Sequence, residues 1–268
     1  LNYMFQTPTT QVWKKMYDAG ELKPPQTYFW ETKPAEELYD LQADRDEVNN
    51  LADSAEHQAV LKELKQAQHK KILAIRDLGF LPEAEFHSLA DGEAPYLVGQ
   101  NKELYPLRQI LKMADLASSG KPSGVDQLIN GLSSQNAAIR YWAAMGLLMR
   151  GEPAVAQAHE SLLNALEDNS KSVRCIAAEA LGKYGTQQDV DNAVDTLISL
   201  SDQKQEGVYV AMLALNGLDK LGSEKVARVQ DQIAKLPLKN AQLDRRLQSY
   251  VSRLVERLQE QQAQAAEK

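Results

Sequence analysis

The chain has 268 residues, 43% of them hydrophobic, and a formal net charge of −7. That length and apolar content can bury the cores of two ordinary units, which is the expected organisation. Residues Leu1–Gly120 carry 13 Lys and Arg against 19 Asp and Glu, and residues Lys121–Lys268 carry 17 against 18. Neither half therefore has the basic excess that counterion release from a phosphate backbone needs, and no nucleic-acid partner is expected.

One cysteine, Cys175, excludes an intrachain disulfide framework or a Cys-rich metal site. The longest apolar stretch, Ile139 to Met149, is interrupted by Arg140 and falls short of the ~20 residues that cross a bilayer. The chain begins with Leu1 and shows no basic-then-apolar leader, which reads as a piece of a longer polypeptide.

In chain order, Gln26–Thr32 is rich in β-formers, Lys33-Pro34 breaks it, and Glu37–Leu41 resumes alternation, so the pattern predicts a β-hairpin. Asp53 followed by Glu56 predicts a capping box, and the apolar positions Val60, Leu61, Leu64, Ala67, Ile72 and Ile75 predict a helix over His57–Arg76 ended by Gly79. A hairpin and one helix are too little for an independent core, so this segment, 1–80, needs a partner. Phe80–Gln100 carries Pro82, Gly92, Pro95 and Gly99 with little periodicity and reads as an irregular connector. A helix over Leu104–Ala117 completes the 81–120 stretch.

Residues 121–268 repeat. At an offset of 34, Leu128, Ile129 and Leu132 fall on Leu162, Leu163 and Leu166, Ile139-Arg140 on Val173-Arg174, Ala143-Ala144 on Ala177-Ala178, and Gly151 on Gly185. A looser third copy runs through Leu197 and Leu200 into Val208–Gly222, with about three extra residues around Gln203–Gln205. Each copy reads as helix, short turn, helix. Leucines at three- and four-residue spacing make one apolar stripe, and paired alanines permit close helix approach. A capping helix is expected with Leu243, Leu247, Tyr250, Val251, Leu254 and Leu258 on one face and Arg245, Arg246, Arg253, Glu256 and Arg257 mostly elsewhere, fraying from Gln259. The array resembles HEAT repeats, in which Asp and Arg stack in a ladder. Asp168, Arg140 and Arg174 take those places here, and a sulfated-sugar role for the arginines is the lesser reading.

No catalytic, cofactor-binding or metal-ligating residue emerges. His57, His69, His87 and His159 lack ligand spacing; His57 and His69 read as surface residues, and neither His87 nor His159 has a Cys or carboxylate partner suggesting a metal. Cys175 reads as a buried structural thiol. Glu36-Glu37 and Asp44, Asp46 and Glu47 read as solvated turn charges. There is no glycine-rich phosphate loop and no Gly-x-Ser-x-Gly elbow.

The run Lys33-Pro-Ala-Glu-Glu-Leu-Tyr-Asp-Leu-Gln-Ala-Asp-Arg-Asp-Glu-Val-Asn-Asn-Leu-Ala52 resembles the C-terminal signature of type I, formylglycine-dependent sulfatases, with Arg45 in place of the usual proline. Tyr3–Trp13 and Gly20-Glu-Leu22 are similar to bacterial polysaccharide and heparan-type members, so the resemblance covers about Leu1–Phe80. It implies a small C-terminal antiparallel sheet with one helix, docked on a large α/β catalytic domain. In that family the Cys/Ser-x-Pro-x-Arg motif supplies formylglycine and an Asp/Asn cage holds Ca²⁺. Cys175 is followed by Ile-Ala-Ala-Glu, so both groups are expected only in a catalytic domain outside this sequence.

The expected fold is thus mainly α, a HEAT-like solenoid preceded by a small α+β segment. The expected function is the non-catalytic C-terminal part of a sulfuric ester hydrolase acting on sulfated glycans, periplasmic or secreted by resemblance. Its array would serve as a scaffold or as a module for substrate access or a partner. The alternatives are a free-standing HEAT-repeat interaction module and, less favoured by the near-neutral array, a HEAT-type DNA repair enzyme.

Overall fold

A computed structural model describes residues 4–5, 7–241, 243 and 247–266. It divides the chain into two units, Leu1–Lys71 and Ile72–Lys268.

The first unit opens with α1 (Pro8–Asp18), whose proline occupies the first turn, where its missing N–H costs nothing. Among the described residues there is no β-strand, so the α+β expectation with its β-hairpin is overturned. Gln26 N–H bonds Lys23 O at 2.8 Å, Tyr28 N–H bonds Pro25 O at 3.2 Å, and Trp30 N–H bonds Thr27 O at 2.9 Å. These three-residue closures wind the segment into consecutive turns, so its side chains do not alternate. Ring contact replaces strand pairing: Trp30 meets Trp13 at 5.1 Å, Phe29 at 4.8 Å, and Phe5 and Tyr17 at 6.2 Å. Context has overridden β-propensity, which measures fit to a pleated, half-buried surface that this segment lacks.

The second expected strand is an extended run closed by a side chain. Asn50 Oδ1 accepts from Leu38 N at 2.9 Å and Ala52 N at 3.0 Å, Asn50 Nδ2 donates to Glu36 O at 3.1 Å, and Leu51 N donates to Leu38 O at 2.7 Å. One amide thus occupies the backbone groups a partner strand would have taken. Among the described residues of this unit only Thr27 and Ala52 are buried.

Helix α2 (Gln58–Ile75) follows a 3₁₀ turn over Ala55–His57 and matches the expected span closely. The Asp53–Glu56 capping box does not form. Ser54 is the N-cap of the turn, its Oγ lies 2.8 Å from His57 Nδ1, and the Gln58 amide donates to Ala52 O at 2.7 Å. Of the expected apolar face, Val60, Leu64 and Ile75 are exposed, while Ile72 packs into the second unit's core. The helix ends at Arg76, not Gly79, in a left-handed conformation (φ 53°) with Asp77 N–H bonded to Ile72 O. A non-glycine residue tolerates this geometry because its guanidinium is tied to Gly99 O and, at 2.9 Å, to Tyr105 O.

In the second unit the connector contains two helices, α3 (Glu83–Ala90) and α4 (Pro95–Gln100), of eight and six residues, too short to show a period in the sequence. Then come α5 (Leu107–Ser118), α6 (Val125–Gly131), α7 (Ala137–Arg150), α8 (Glu152–Gln157), α9 (His159–Ala165), α10 (Lys171–Tyr184), α11 (Gln187–Ser199), α12 (Val208–Leu221), α13 (Ser223–Val226), α14 (Gln230–Ala234) and α15 (Tyr250–Ala266). Helix α5 begins three residues later than expected because Pro106 disfavours helix at Tyr105.

Helices α5, α7, α10, α12 and α15 pack in succession, while α6, α9 and α11 back them as the first helices of the pairs α6/α7, α9/α10 and α11/α12. The repeat-related residues Leu128 and Leu162, and Ala143-Ala144 and Ala177-Ala178, are all fully buried, all but Ala143 in one cluster that continues to Leu258. Gly146 shows how close the layers come: a Cβ there would lie 2.9 Å from Ala117 Cα on α5. The caps repeat as well. Asn136 accepts from Ala138 N and Ile139 N to start α7, and Ser170, its equivalent, accepts from Val173 N to start α10.

The capping helix differs from its expected form. It starts at Tyr250, so Leu243 and Leu247 precede it, while Arg245 and Arg246 lie outside the described residues, as do Tyr3 and Gln6 of the N-terminal motif. Val251, Val255 and Leu258 are buried. The helix continues past Gln259 to Ala266: Gln261 Nε2 bonds Asp219 Oδ1 at 2.8 Å and Gln262 bonds Ser223 O, which ties this part of it to α12 and α13.

Candidate functional site

Three polar features of the second unit qualify for scrutiny. The first is the ladder. Arg140 at the start of α7 reaches the turn before α10, where Nε and Nη2 meet Asp168 Oδ2 and Oδ1 at 2.6 and 2.7 Å, while Nη1 donates to Ser134 O at 2.8 Å. This bidentate bond raises the arginine's pKa. Arg174, one repeat on, donates to Leu166 O at 2.8 Å. Asp202, the Asp168 equivalent, instead caps the longer loop by accepting from Lys204 N at 2.8 Å. The ladder thus has a full rung at Arg140, and its guanidinium is occupied by the protein itself.

The second feature is His159, whose carboxylate partner the sequence does not reveal. Its Nε2 lies 3.0 Å from both oxygens of Asp189, which is buried at the start of α11 and closes a capping box with Thr186. The histidine's pKa is raised, chiefly by that bond. Burial pulls Asp189 upward, but bonds from Thr186 and His159 outweigh it and hold the carboxyl below its ordinary value. Thr186 Oγ1 bonds the carboxylate rather than the imidazole, so the three residues do not make a nucleophile–base relay. They fasten α9 to α11. The partner was invisible in the sequence because it stands 30 positions away, across a whole helix pair.

The third is a cavity of about 320 Å³ where α3 meets the turns leading into α10 and α12. Ser170, the α10 cap, also donates through Oγ to Glu85 on α3, which anchors that helix to the turn. Lys171 Nζ lies 2.6 Å from Glu206 Oε2. His87 stacks on Tyr209 with ring centroids 4.4 Å apart and planes 3° from parallel. Gly207, the N-cap of α12 at φ 84°, brings backbone rather than side chain to the wall. The sequence reading missed this site, and its residues are drawn from three separate segments with no common spacing.

The remaining candidates are placed simply. His57 is half-buried against Ser54, and His69 is half-exposed on α2. Glu36 pairs with Lys65 at 2.5 Å and Glu37 with Lys33 at 3.1 Å. Asp44 accepts from Asn49 N at 2.8 Å within its turn, and Asp46 and Glu47 are exposed. Cys175 is buried in α10, and desolvation pushes its thiol up to about 12, which suppresses the thiolate. Among the described residues no group of three His, Cys, Asp or Glu could hold a metal ion. Cys175, buried within α10 and followed by Ile-Ala-Ala-Glu, does not fit a formylglycine precursor.

Comparison with known proteins gives two matches. The HEAT repeat family matches residues 160–187, which span most of α9, all of α10 and the start of α11. The chain is also 36% identical over 86 residues to an ulvan-active sulfatase of Formosa agariphila, a match covering 32% of this chain and 14% of that protein. The chain therefore spans a small part of the curated relative's length. The second unit is a HEAT-like helical solenoid, and no helix among the described residues is long and apolar enough to cross a membrane.

Proposed function

We propose that this chain is the non-catalytic C-terminal part of a sulfatase-type protein, its solenoid serving as a scaffold that shapes substrate access or recruits a partner. The observation carrying this reading is the closed loop at Glu36–Ala52. The residues of the sulfatase-like signature are those that stitch it, with Asn50 bonding back to Glu36 and Leu38. The partial match to a sulfatase supports it. So does the sparse burial among the first unit's described residues, since exposed Val60, Leu64, Phe29 and Tyr28 ask for a covering surface such as a catalytic α/β domain. Sulfate-ester hydrolysis, with formylglycine and Ca²⁺, then belongs to that domain, and a periplasmic or extracellular site of action accompanies it.

The test is hydrolysis of 4-methylumbelliferyl sulfate with Ca²⁺ present. The 268-residue chain alone should show no turnover, whereas the polypeptide extended upstream to include a Cys/Ser-x-Pro-x-Arg motif should. Turnover by the chain alone, or an upstream sequence without that motif, overturns the reading. The HEAT match favours a second reading, a solenoid that acts as a protein-interaction module with no hydrolase attached, and an upstream sequence lacking the motif would favour it.

A further inference from the structure

We propose that the cavity between α3 and the turns entering α10 and α12 binds a neutral sugar ring. At about 320 Å³ it sits at the low end of the ~300–1,000 Å³ range of small-molecule sites, which suits one ring rather than a chain. Its lining sets one ammonium, Lys171, against two carboxylates, Glu85 and Glu206, each already engaged by the protein. Lys171 is neutralised by Glu206, and Glu85 is held by the Ser170 hydroxyl near the Arg140–Asp168 pair. A sulfate or phosphate would meet the Glu85 and Glu206 carboxylates, and a cation would meet Lys171 and the positive ends of two 14-residue helices.

What the cavity does offer is fixed acceptors beside fixed donors. The two carboxylates accept from hydroxyls. The Lys171 ammonium donates, as does the first turn of α12, which the side-chain-less Gly207 leaves uncapped. Vicinal hydroxyls, each a donor and an acceptor, match such a mixed wall, and the stacked His87 and Tyr209 rings line the same cavity, where an outer ring face offers the C–H face of a pyranose an apolar surface. The inference stands on this cavity and does not depend on the sulfatase reading.

The test uses the full 268-residue chain in ligand-observed saturation-transfer NMR. The probes are methyl β-D-glucopyranoside, methyl β-D-galactopyranoside and methyl β-D-xylopyranoside, with glucose 6-sulfate and methylamine as charged comparators. At least one neutral glycoside should bind saturably and in preference to both comparators. Glu206→Gln should weaken it about tenfold, the loss of one charged hydrogen bond. Ser88→Trp, at an exposed α3 position lining the cavity, should abolish binding by filling the mouth while far-UV circular dichroism stays unchanged. No saturable neutral glycoside, tighter binding of a charged comparator, or binding that survives Ser88→Trp overturns the proposal. The sulfatase reading is untouched by any of these results, because ester hydrolysis is not what they measure.

Discussion

The two units hold their residues by different means. In the second, a cluster of buried apolar side chains runs from Ala117 to Leu258, and each helix pair buries its stripe against the next. In the first, two of the described residues are buried and order comes from the Trp13–Phe29–Trp30 ring contacts and the Asn50 amide. Repetition lets a solenoid accumulate hydrophobic area without a partner, whereas a short segment closed by polar bonds leaves its apolar surface for something else to cover.

Breaking the array should cost most. Leu181→Ala, at a fully buried α10 position, is expected to lower the stability of the second unit by roughly 2–5 kcal/mol through lost burial and a cavity, read by urea denaturation. Asp168→Ala should cost about 3 kcal/mol, since it leaves Nε and Nη2 of the largely buried Arg140 without their carboxylate. A loss below 0.5 kcal/mol would mean that the rung is incidental. Gly146→Ala should cost about 1–3 kcal/mol by overpacking α5, and an unchanged midpoint would show that the two helices separate freely.

The first unit should respond locally. Asn50→Ala removes the amide that bonds Leu38 and Ala52, so hydrogen exchange at those two amides should accelerate while the array's urea midpoint stays put. A fall in the array midpoint would erase the contrast between the units.

The smallest expected effect is on pH. His159 has a raised folded pKa, so its contribution is present below its ordinary 6.5 and is lost as pH rises through the folded value. Asp189 has a lowered one, so its contribution is present above its ordinary 3.8 and is lost as pH falls through the folded value. The clasp should therefore be strongest between those limits. Wild type minus His159→Gln in urea midpoint should shrink from pH 5.5 to pH 9, and a flat difference would remove the charge from the account.

The sequence by itself determined the array. Leucines and paired alanines recurring at 34-residue offset dictate amphipathic helix pairs, because periodicity and burial are the same constraint read twice, and Leu128, Leu162, Ala144 and Ala178 are buried as their spacing requires. It also marked Asp168, Arg140 and Arg174 as ladder residues, though not which arginine meets the aspartate, and the span of α2. Tertiary structure alone decided the rest. Tyr28-Phe29-Trp30 has strand-forming residues, yet contacts with rings on α1 wind it into turns, since a lone hairpin without a packing face has too little to hold it. His159 found Asp189, and Ser170, Lys171, Glu85, His87, Glu206 and Tyr209 converged on one cavity, through the stacking of elements far apart in the chain. No local pattern encodes that distance, because such pairings follow from how helices pack and not from the period within any one of them.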